Sequence, residues 1–280
     1  MKKSIARALY ESYPGYGGER EFLRQQRSQG RIWGHAGVLL LLTRDPAAET
    51  NGHGSGLSLI FTRRSKHVSQ PGDLCFPGGH PESAADRVGA LLWPLWAGIH
   101  SPRTAGRWIL GKRGTLREVA YFWAAATREC WEETGVPPWK VGFVGALPCY
   151  RMLTRQKMIC PMVGSISPKQ PLHTSREIDK ILKVPLDILL DAERYGECTL
   201  AITGNFRKMF NVDSVKVPCF LVPAGGGGEV LWGATYHITL SFLHAVFAFT
   251  PPDPGPVRVQ SVLYPRQASE PVDKGSGLSQ

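Results

Sequence analysis

The chain has 280 residues, of which 42% are hydrophobic and 20% are charged, an ordinary globular composition that excludes wholesale disorder. Lysine and arginine total 33 against 23 aspartate and glutamate residues, giving a formal net charge of +10. This charge favours anionic partners, which include phosphorylated small molecules, nucleic acid and acidic membrane surfaces. No apolar run reaches the length of about 18 residues that a spanning helix needs, so the sequence predicts no membrane span.

The cysteines and the N-terminus predict a cytoplasmic protein. The six cysteines show neither Cys-x-x-Cys nor zinc-ligand spacing, and a chain of this length needs no disulfides, so we expect reduced thiols. The start Met1-Lys2-Lys3 suits a signal peptide, but Arg7 and Glu11 interrupt the apolar stretch that would have to follow.

In chain order, the sequence predicts an N-terminal helical segment over 1–34, a main α/β domain over 35–250 and a flexible tail over 251–280. Within the main domain, the region of about 87–114 differs in character, being first apolar and then basic. A long helix over 116–134 ends at Gly135 and is followed by two prolines. The remaining predictions are strands at 38–42, 57–62, 141–147 and 157–164, a short helix at 185–190, a hairpin of 217–222 with 229–232 around the glycines at 225–228, and a helix over 236–249.

The long helix carries the sharpest chemical feature, the segment Arg128-Glu129-Cys130-Trp131-Glu132-Glu133-Thr134-Gly135-Val136. Three- and four-residue spacing puts the carboxylates of Glu129, Glu132 and Glu133 on one helix face, where they repel one another. A divalent cation that prefers oxygen ligands, Mg²⁺ or Mn²⁺, would offset that repulsion, and Arg128 can hold one carboxylate in place. The alternative is a solvated acidic helix face.

Together with Phe76-Pro77-Gly78-Gly79, this helix resembles the Nudix box, Gly-x5-Glu-x7-Arg-Glu-U-x-Glu-Glu-x-Gly-U, where U is apolar. The resemblance implies an αβα sandwich with a mixed sheet, and an enzyme that cleaves a nucleoside diphosphate linked to another group. It also implies that Glu129, Glu132 and Glu133 hold the metal with the carbonyl of Gly79, and that Arg128 belongs to the catalytic set. Such a metal neutralises the pyrophosphate charge and positions a water molecule.

A narrower resemblance points to the coenzyme A diphosphatase subfamily. It rests on Phe61-Thr62-Arg63-Arg64-Ser65, on 72–79, and on the downstream segments 184–186 and 231–235. Subfamily members cleave coenzyme A and its thioesters to adenosine 3′,5′-bisphosphate and 4′-phosphopantetheine or acyl-phosphopantetheine. The resemblance implies substrate binding by Arg63, Arg64, Gly78 and Gly79. Arg64, Lys66 and His67 would suit the 3′-phosphate of coenzyme A.

The chain departs from the Nudix pattern in two ways. First, about 35 residues are inserted between Gly79 and Arg128. Second, the isolated glutamate in the first half of the box is absent. Its expected position holds Ala85 when counted forward from Gly79 and Ala120 when counted back from Arg128. We expect Glu82 or Asp86 to replace it if the loop folds back. The insertion is expected to be a lid over the substrate or a partner-binding flap, whose Trp93 and Trp96 would contact an acyl chain, adenine or a membrane interface. The alternative is a self-packed surface hairpin.

These departures leave three functions open. The first is a coenzyme A diphosphatase. The second is a Nudix hydrolase of another nucleotide, such as NADH, ADP-ribose or a damaged triphosphate. The third is a nucleotide-binding Nudix protein that does not cleave. The basic residues at 103–117 accompany no nucleic-acid-binding motif, so no nucleic-acid partner is predicted.

Overall fold

The computed structural model describes residues 2–45, 56–81, 84–202, 213–223, 228–253 and 255–264, and the side chains of 2, 95–100, 113 and 260–264 are not described. The predictions for Glu82, for the Trp96 side chain, for most of the glycine-rich hairpin tip and for 265–280 therefore lie outside the described residues. Within the described ranges, every helix falls short of the length and hydrophobicity that a bilayer-spanning segment needs.

The protein is a mixed α/β fold whose main sheet has eight strands in the described part of the chain. Its central strands β1 and β7 are parallel, and the pairings of β1 with β2 and of β7 with β5 are antiparallel. The strand order is β3-β2-β1-β7-β5, with β8 on β2, β4 on β1 and β6 on β7. The strands are β1 (Gly34–Arg44), β2 (Leu57–Arg64), β3 (Leu74–Cys75), β4 (Gly78–Gly79), β5 (Gly142–Ala146), β6 (Tyr150–Met152), β7 (Lys157–Ser165) and β8 (Ile178–Pro185).

Helices cover both faces of this sheet. The helices are α1 (Lys2–Ser12), α2 (Gly17–Ser28), α3 (Ala85–His100), α4 (Pro102–Gly111), α5 (Leu116–Thr134), α6 (Leu186–Leu189) and α7 (Gly233–Phe247). In β1, Leu39 and Leu41 belong to the core cluster that contains the buried face of α5, whereas Leu40 and Leu42 belong to the cluster that contains α1 and α7. This alternation follows from the two-residue period of a strand. The sheet therefore lies between two helical layers in an αβα arrangement.

A second sheet of four described strands has the order β11-β10-β9-β12. Its strands are β9 (Tyr195–Ile202), β10 (Ser214–Val222), β11 (Glu229–Trp232) and β12 (Val257–Tyr264). β10 and β11 form the predicted hairpin. β12 pairs in parallel with β9, which corrects the expectation of a flexible tail for 257–264. The sequence gives little sign of this strand because its order depends on a partner about 60 residues upstream.

The insertion is part of the core. Trp93 of α3 and Trp108 of α4 are 1% and 0% exposed, and both rings pack edge-on against Phe143 of β5. α3 lies against α5, since a Cβ on Gly89 would lie 3.0 Å from that of Ala124. The burial of Trp93 corrects the expectation that it contacts an acyl chain, adenine or a membrane interface.

One cysteine pair also differs from expectation. Cys149 and Cys160 form a disulfide, which corrects the prediction of six reduced thiols. The antiparallel pairing of β6 with β7 brings their Cα atoms to 4.3 Å although eleven residues separate them. No sequence motif signals this proximity, because it arises from strand pairing.

Candidate active site

The site forms where the carboxyl-terminal half of α5 crosses the short strand β4. α5 ends at Gly135, whose φ of +74° is the left-handed conformation that terminates helices, and its N–H donates to the carbonyl of Trp131 at 2.8 Å. Asymmetric burial distinguishes the acids of this half-helix. Glu133 is 8% exposed and the Glu132 side chain is 57% exposed, while Glu129 lies between them at 20%.

Two glycines bring β4 against α5. A Cβ on Gly79 would lie 2.3 Å from the carboxyl carbon of Glu129, and a Cβ on Gly78 would lie 2.4 Å from the carbonyl oxygen of Gly37. Gly78 also has a φ of +154°. Any side chain at either position would therefore displace the strand or the carboxylate. The close approach of β4 to its neighbours requires glycine at both positions.

Arg128 connects the acids of the site. Its Nε and Nη2 donate to the two carboxylate oxygens of Asp86 at 3.0 and 3.3 Å. Nη2 also donates to Glu129 at 3.1 Å, and Nη1 donates to Glu132 at 3.1 Å. Nη2 also donates to the carbonyl of His80 at 3.0 Å. A guanidinium in such a fork is a rigid positioning group for carboxylates.

Asp86 is the buried carboxylate that pairs with Arg128. It is 1% exposed and comes from the first turn of α3, so the inserted segment itself supplies this carboxylate. Asp86 is one of the two acids expected to replace the absent box glutamate. Glu118 lies at the other end of α5, where its carboxylate pairs with Arg20 at 2.7 Å.

Glu133 has the most perturbed carboxyl group of the site. Burial and the neighbouring charge of Glu129 raise the pKa of Glu133 to about 8, although a backbone hydrogen bond from Gly78 opposes the rise. Burial also raises the pKa of Glu129, against the charge of Arg128. The charge of Glu177, just before β8, adds to both shifts. Sequence reasoning missed Glu177, because no motif contains it and the fold alone brings it near the other acids.

These residues fit a divalent cation. Glu133 Oε2 is buried and has no hydrogen-bond partner in the described structure, and a carboxylate oxygen is the kind of ligand that Mg²⁺ and Mn²⁺ prefer. Among the described residues, no group of three or more His, Cys, Asp or Glu side chains forms a preassembled metal cage. Arg128 holds the carboxylates of Glu129 and Glu132 instead.

Beside the acids lies a cavity of about 340 Å³. Arg64 and Gly78, two of the residues predicted to bind substrate, line this cavity. Arg63 points elsewhere, since its guanidinium pairs with Asp179 and Glu229, each at 2.8 Å. Lys66 and His67 are exposed and do not belong to the cavity wall. Residues that sequence reasoning missed complete the wall, among them Tyr150, Arg155 and Lys157.

The chain is similar to known Nudix proteins. It is 30% identical over 154 residues to the uncharacterized Nudix hydrolase NudL of Enterobacter sp. (strain 638), a match that covers 54% of this chain and 62% of the relative. It is 38% identical over 88 residues to NudL of Escherichia fergusonii, covering 31% of this chain and 45% of that protein. No protein-family model matches the chain.

Among solved structures, a MutT/nudix family protein from Enterococcus faecalis aligns with a TM-score of 0.39 and 11% identity, covering 82% of this chain and 69% of that one. The sequence matches to NudL show a similarity to Nudix hydrolases over part of this chain. They span less than two thirds of those relatives.

Proposed function

We propose that the protein hydrolyses the pyrophosphate bond of coenzyme A or acyl-coenzyme A, releasing adenosine 3′,5′-bisphosphate and the 4′-phosphopantetheine or its acyl derivative. Mg²⁺ or Mn²⁺ would be held by Glu129, Glu132, Glu133 and the carbonyl of Gly79. The observation that carries the proposal is the buried Glu133 carboxylate, whose Oε2 has no partner in the described structure and whose acidic neighbours lie on one helix face.

When bound, a cation would neutralise charge on the pyrophosphate and would make water a better nucleophile. The chain's own residues position the reacting groups. Arg128, anchored on Asp86, fixes the orientation of Glu129 and Glu132. Glu133, with a pKa of about 8, holds a proton near neutral pH in the metal-free protein, and a cation held there would have to displace that proton.

Coenzyme A is favoured as substrate by the subfamily-like segments at both walls of the cavity. Arg64 and Gly78 from the upstream segments and Trp232 to Thr235 from the downstream segment all line it.

The second candidate is hydrolysis of another nucleoside diphosphate derivative, because a cation held by the acidic helix face would attract the pyrophosphate whatever group it carries. The missing glutamate of the Nudix box is the argument for the third possibility, a protein that binds a nucleotide without cleaving it. Asp86 provides a carboxylate for Arg128 at that point, which favours the hydrolase.

A substrate panel tests the proposal. The protein is incubated with coenzyme A, acetyl-coenzyme A, NADH or ADP-ribose, with Mg²⁺, with Mn²⁺ or with EDTA, and products are separated chromatographically. We expect adenosine 3′,5′-bisphosphate from the first two substrates, dependent on metal. Faster cleavage of NADH or ADP-ribose would show that another nucleotide is the preferred substrate. Binding of all four compounds without cleavage would refute the proposed hydrolase activity.

A further inference from the structure

A second cavity lies between α3, the first helix of the insertion, and α5. Its volume is about 860 Å³, within the range of about 300–1,000 Å³ that is usual for small-molecule sites. Within the described structure, this cavity and the cavity beside the acids have no lining residue in common. The second cavity is therefore a separate space, formed by the segment that interrupts the Nudix-like pattern.

The second cavity lies at the end of the α3–α5 pair that is remote from the acids. The two helices run antiparallel, because Asp86 pairs with Arg128 and, further along both helices, a Cβ on Gly89 would lie 3.0 Å from that of Ala124. The lining residues of α5 fall within 116–121. At a rise of 1.5 Å per residue, about 10 Å of helix or more separates them from Arg128.

The walls of the second cavity are mainly apolar. Leu91 and Pro94 line it from α3, and Leu116 and Tyr121 line it from α5. Leu91 is 80% exposed, so its side chain is free to be covered. Trp93 also borders the cavity but is buried, so the wall side chains rather than its indole would contact a ligand. Covering exposed apolar groups with an apolar ligand is favourable, because it removes their surface from water.

Two guanidinium groups give the second cavity a positive charge. Arg87 and Arg117 line it, both are exposed, and no ion pair engages either of them in the part of the chain that the structure describes. The acid among the lining residues, Glu118, is already paired with Arg20 at 2.7 Å. An anionic group on a ligand would compensate the two arginines, and a carboxylate matches guanidinium geometry.

We propose that the cavity between α3 and α5 binds an amphipathic carboxylate of the fatty-acid class. Its hydrocarbon chain lies along Leu91, Pro94 and Leu116, and its carboxylate is held by Arg87 and Arg117. An uncharged chain would leave both arginines without a counter-charge, and a cationic amphiphile would be repelled by them. The site goes beyond the proposed hydrolysis and does not depend on which nucleotide is cleaved.

Binding of two matched amphiphiles to the full-length protein tests the proposal. Dodecanoate and dodecan-1-ol share the same chain and differ in charge at neutral pH. Both are titrated calorimetrically below the concentration at which dodecanoate forms micelles, with EDTA present to remove metal ions. We expect dodecanoate to bind at least about 10-fold more tightly than the alcohol, because its carboxylate accepts charge-assisted hydrogen bonds.

A variant of the apolar wall locates the bound chain. Leu91→Glu places a negative charge inside the cavity, and Leu110→Glu is the matched control, because Leu110 is 67% exposed on α4 and does not line the cavity. Both replace an exposed leucine, so both variants should fold. We expect Leu91→Glu to weaken dodecanoate binding by about 10-fold or more, and the control to change it by less than about twofold.

A second pair of variants tests the cations. Arg87→Met/Arg117→Met should bring the affinities for dodecanoate and dodecan-1-ol close to each other. Arg27→Met/Arg103→Met removes the same charge from exposed positions outside the cavity and should keep the preference for dodecanoate.

Three results would overturn the proposal. Equal affinity of the wild type for the two amphiphiles, or no binding of either, would exclude a carboxylate site. Dodecanoate binding that is unchanged in Leu91→Glu would place the ligand elsewhere on the protein. Dodecanoate preference that survives in Arg87→Met/Arg117→Met would exclude the two arginines as its carboxylate partners. These outcomes are independent of catalysis, because they are read as binding to the metal-free protein.

Discussion

Replacing Asp86 with alanine should destabilise the protein more than removing one partner of an exposed ion pair does. Asp86 is 1% exposed and the Arg128 side chain is 14% exposed, so the substitution leaves a guanidinium in a largely dry position. Removing one partner of a buried pair costs about 3–5 kcal/mol. Glu129 and Glu132 still accept from Arg128, which places the expected loss near the lower end, at about 3 kcal/mol.

Urea denaturation of the metal-free protein measures this loss. The control is Glu118→Ala, because the partner of Glu118, Arg20, is 48% exposed and such a pair contributes less than about 1 kcal/mol. Arg128→Ala and the double variant complete a cycle that isolates the coupling of Asp86 with Arg128. A loss for Asp86→Ala within about 0.5 kcal/mol of the control would refute the assignment of Asp86 as the anchor of Arg128.

Three further predictions concern the glycine contact, the disulfide and the buried acid. Gly79→Ala should lower kcat by about 100-fold, since its Cβ would lie 2.3 Å from the Glu129 carboxyl, whereas Gly106→Ala, with nothing within 4 Å, should leave steady-state rates unchanged. Reduction of Cys149–Cys160 should lower the free energy of unfolding by about 2–3 kcal/mol from loop entropy, and dithiothreitol should not affect a Cys149→Ala/Cys160→Ala variant in denaturant titrations. In EDTA, stability should fall as pH rises from the ordinary carboxyl range through about 8, because folded Glu133 keeps a proton that the unfolded chain has lost. Thermal melts should show a smaller fall for Glu133→Gln, and an identical fall would contradict the assignment.

The elements that the sequence predicted well are those with strong local signals. Helix α5 runs over Leu116–Thr134 as expected, because its length and its terminal glycine specify both the helix and its end. Strands β2 and β7 also match, since buried apolar runs of this length favour strands.

Features that depend on distant pairing were less accessible. A surface hairpin is one of the structures expected for the insertion, yet Trp93 and Trp108 fill a space beside Phe143 that exists only after β5 joins the sheet. The pairing of Asp86 with Arg128 spans 42 residues, and the cluster of Arg64 with Lys157 joins two strands on either side of β1. No local pattern encodes such contacts.

The central claim is metal-dependent cleavage of coenzyme A at the acidic face of α5, and the most direct measurement is formation of adenosine 3′,5′-bisphosphate by the wild type and by Glu133→Gln. Glu193→Gln is the matched control, because Glu193 is an exposed acid on the turn Ala192–Arg194. We predict product from the wild type and the control, and at least about 100-fold less from Glu133→Gln. Equal product formation by wild type and Glu133→Gln would contradict the account.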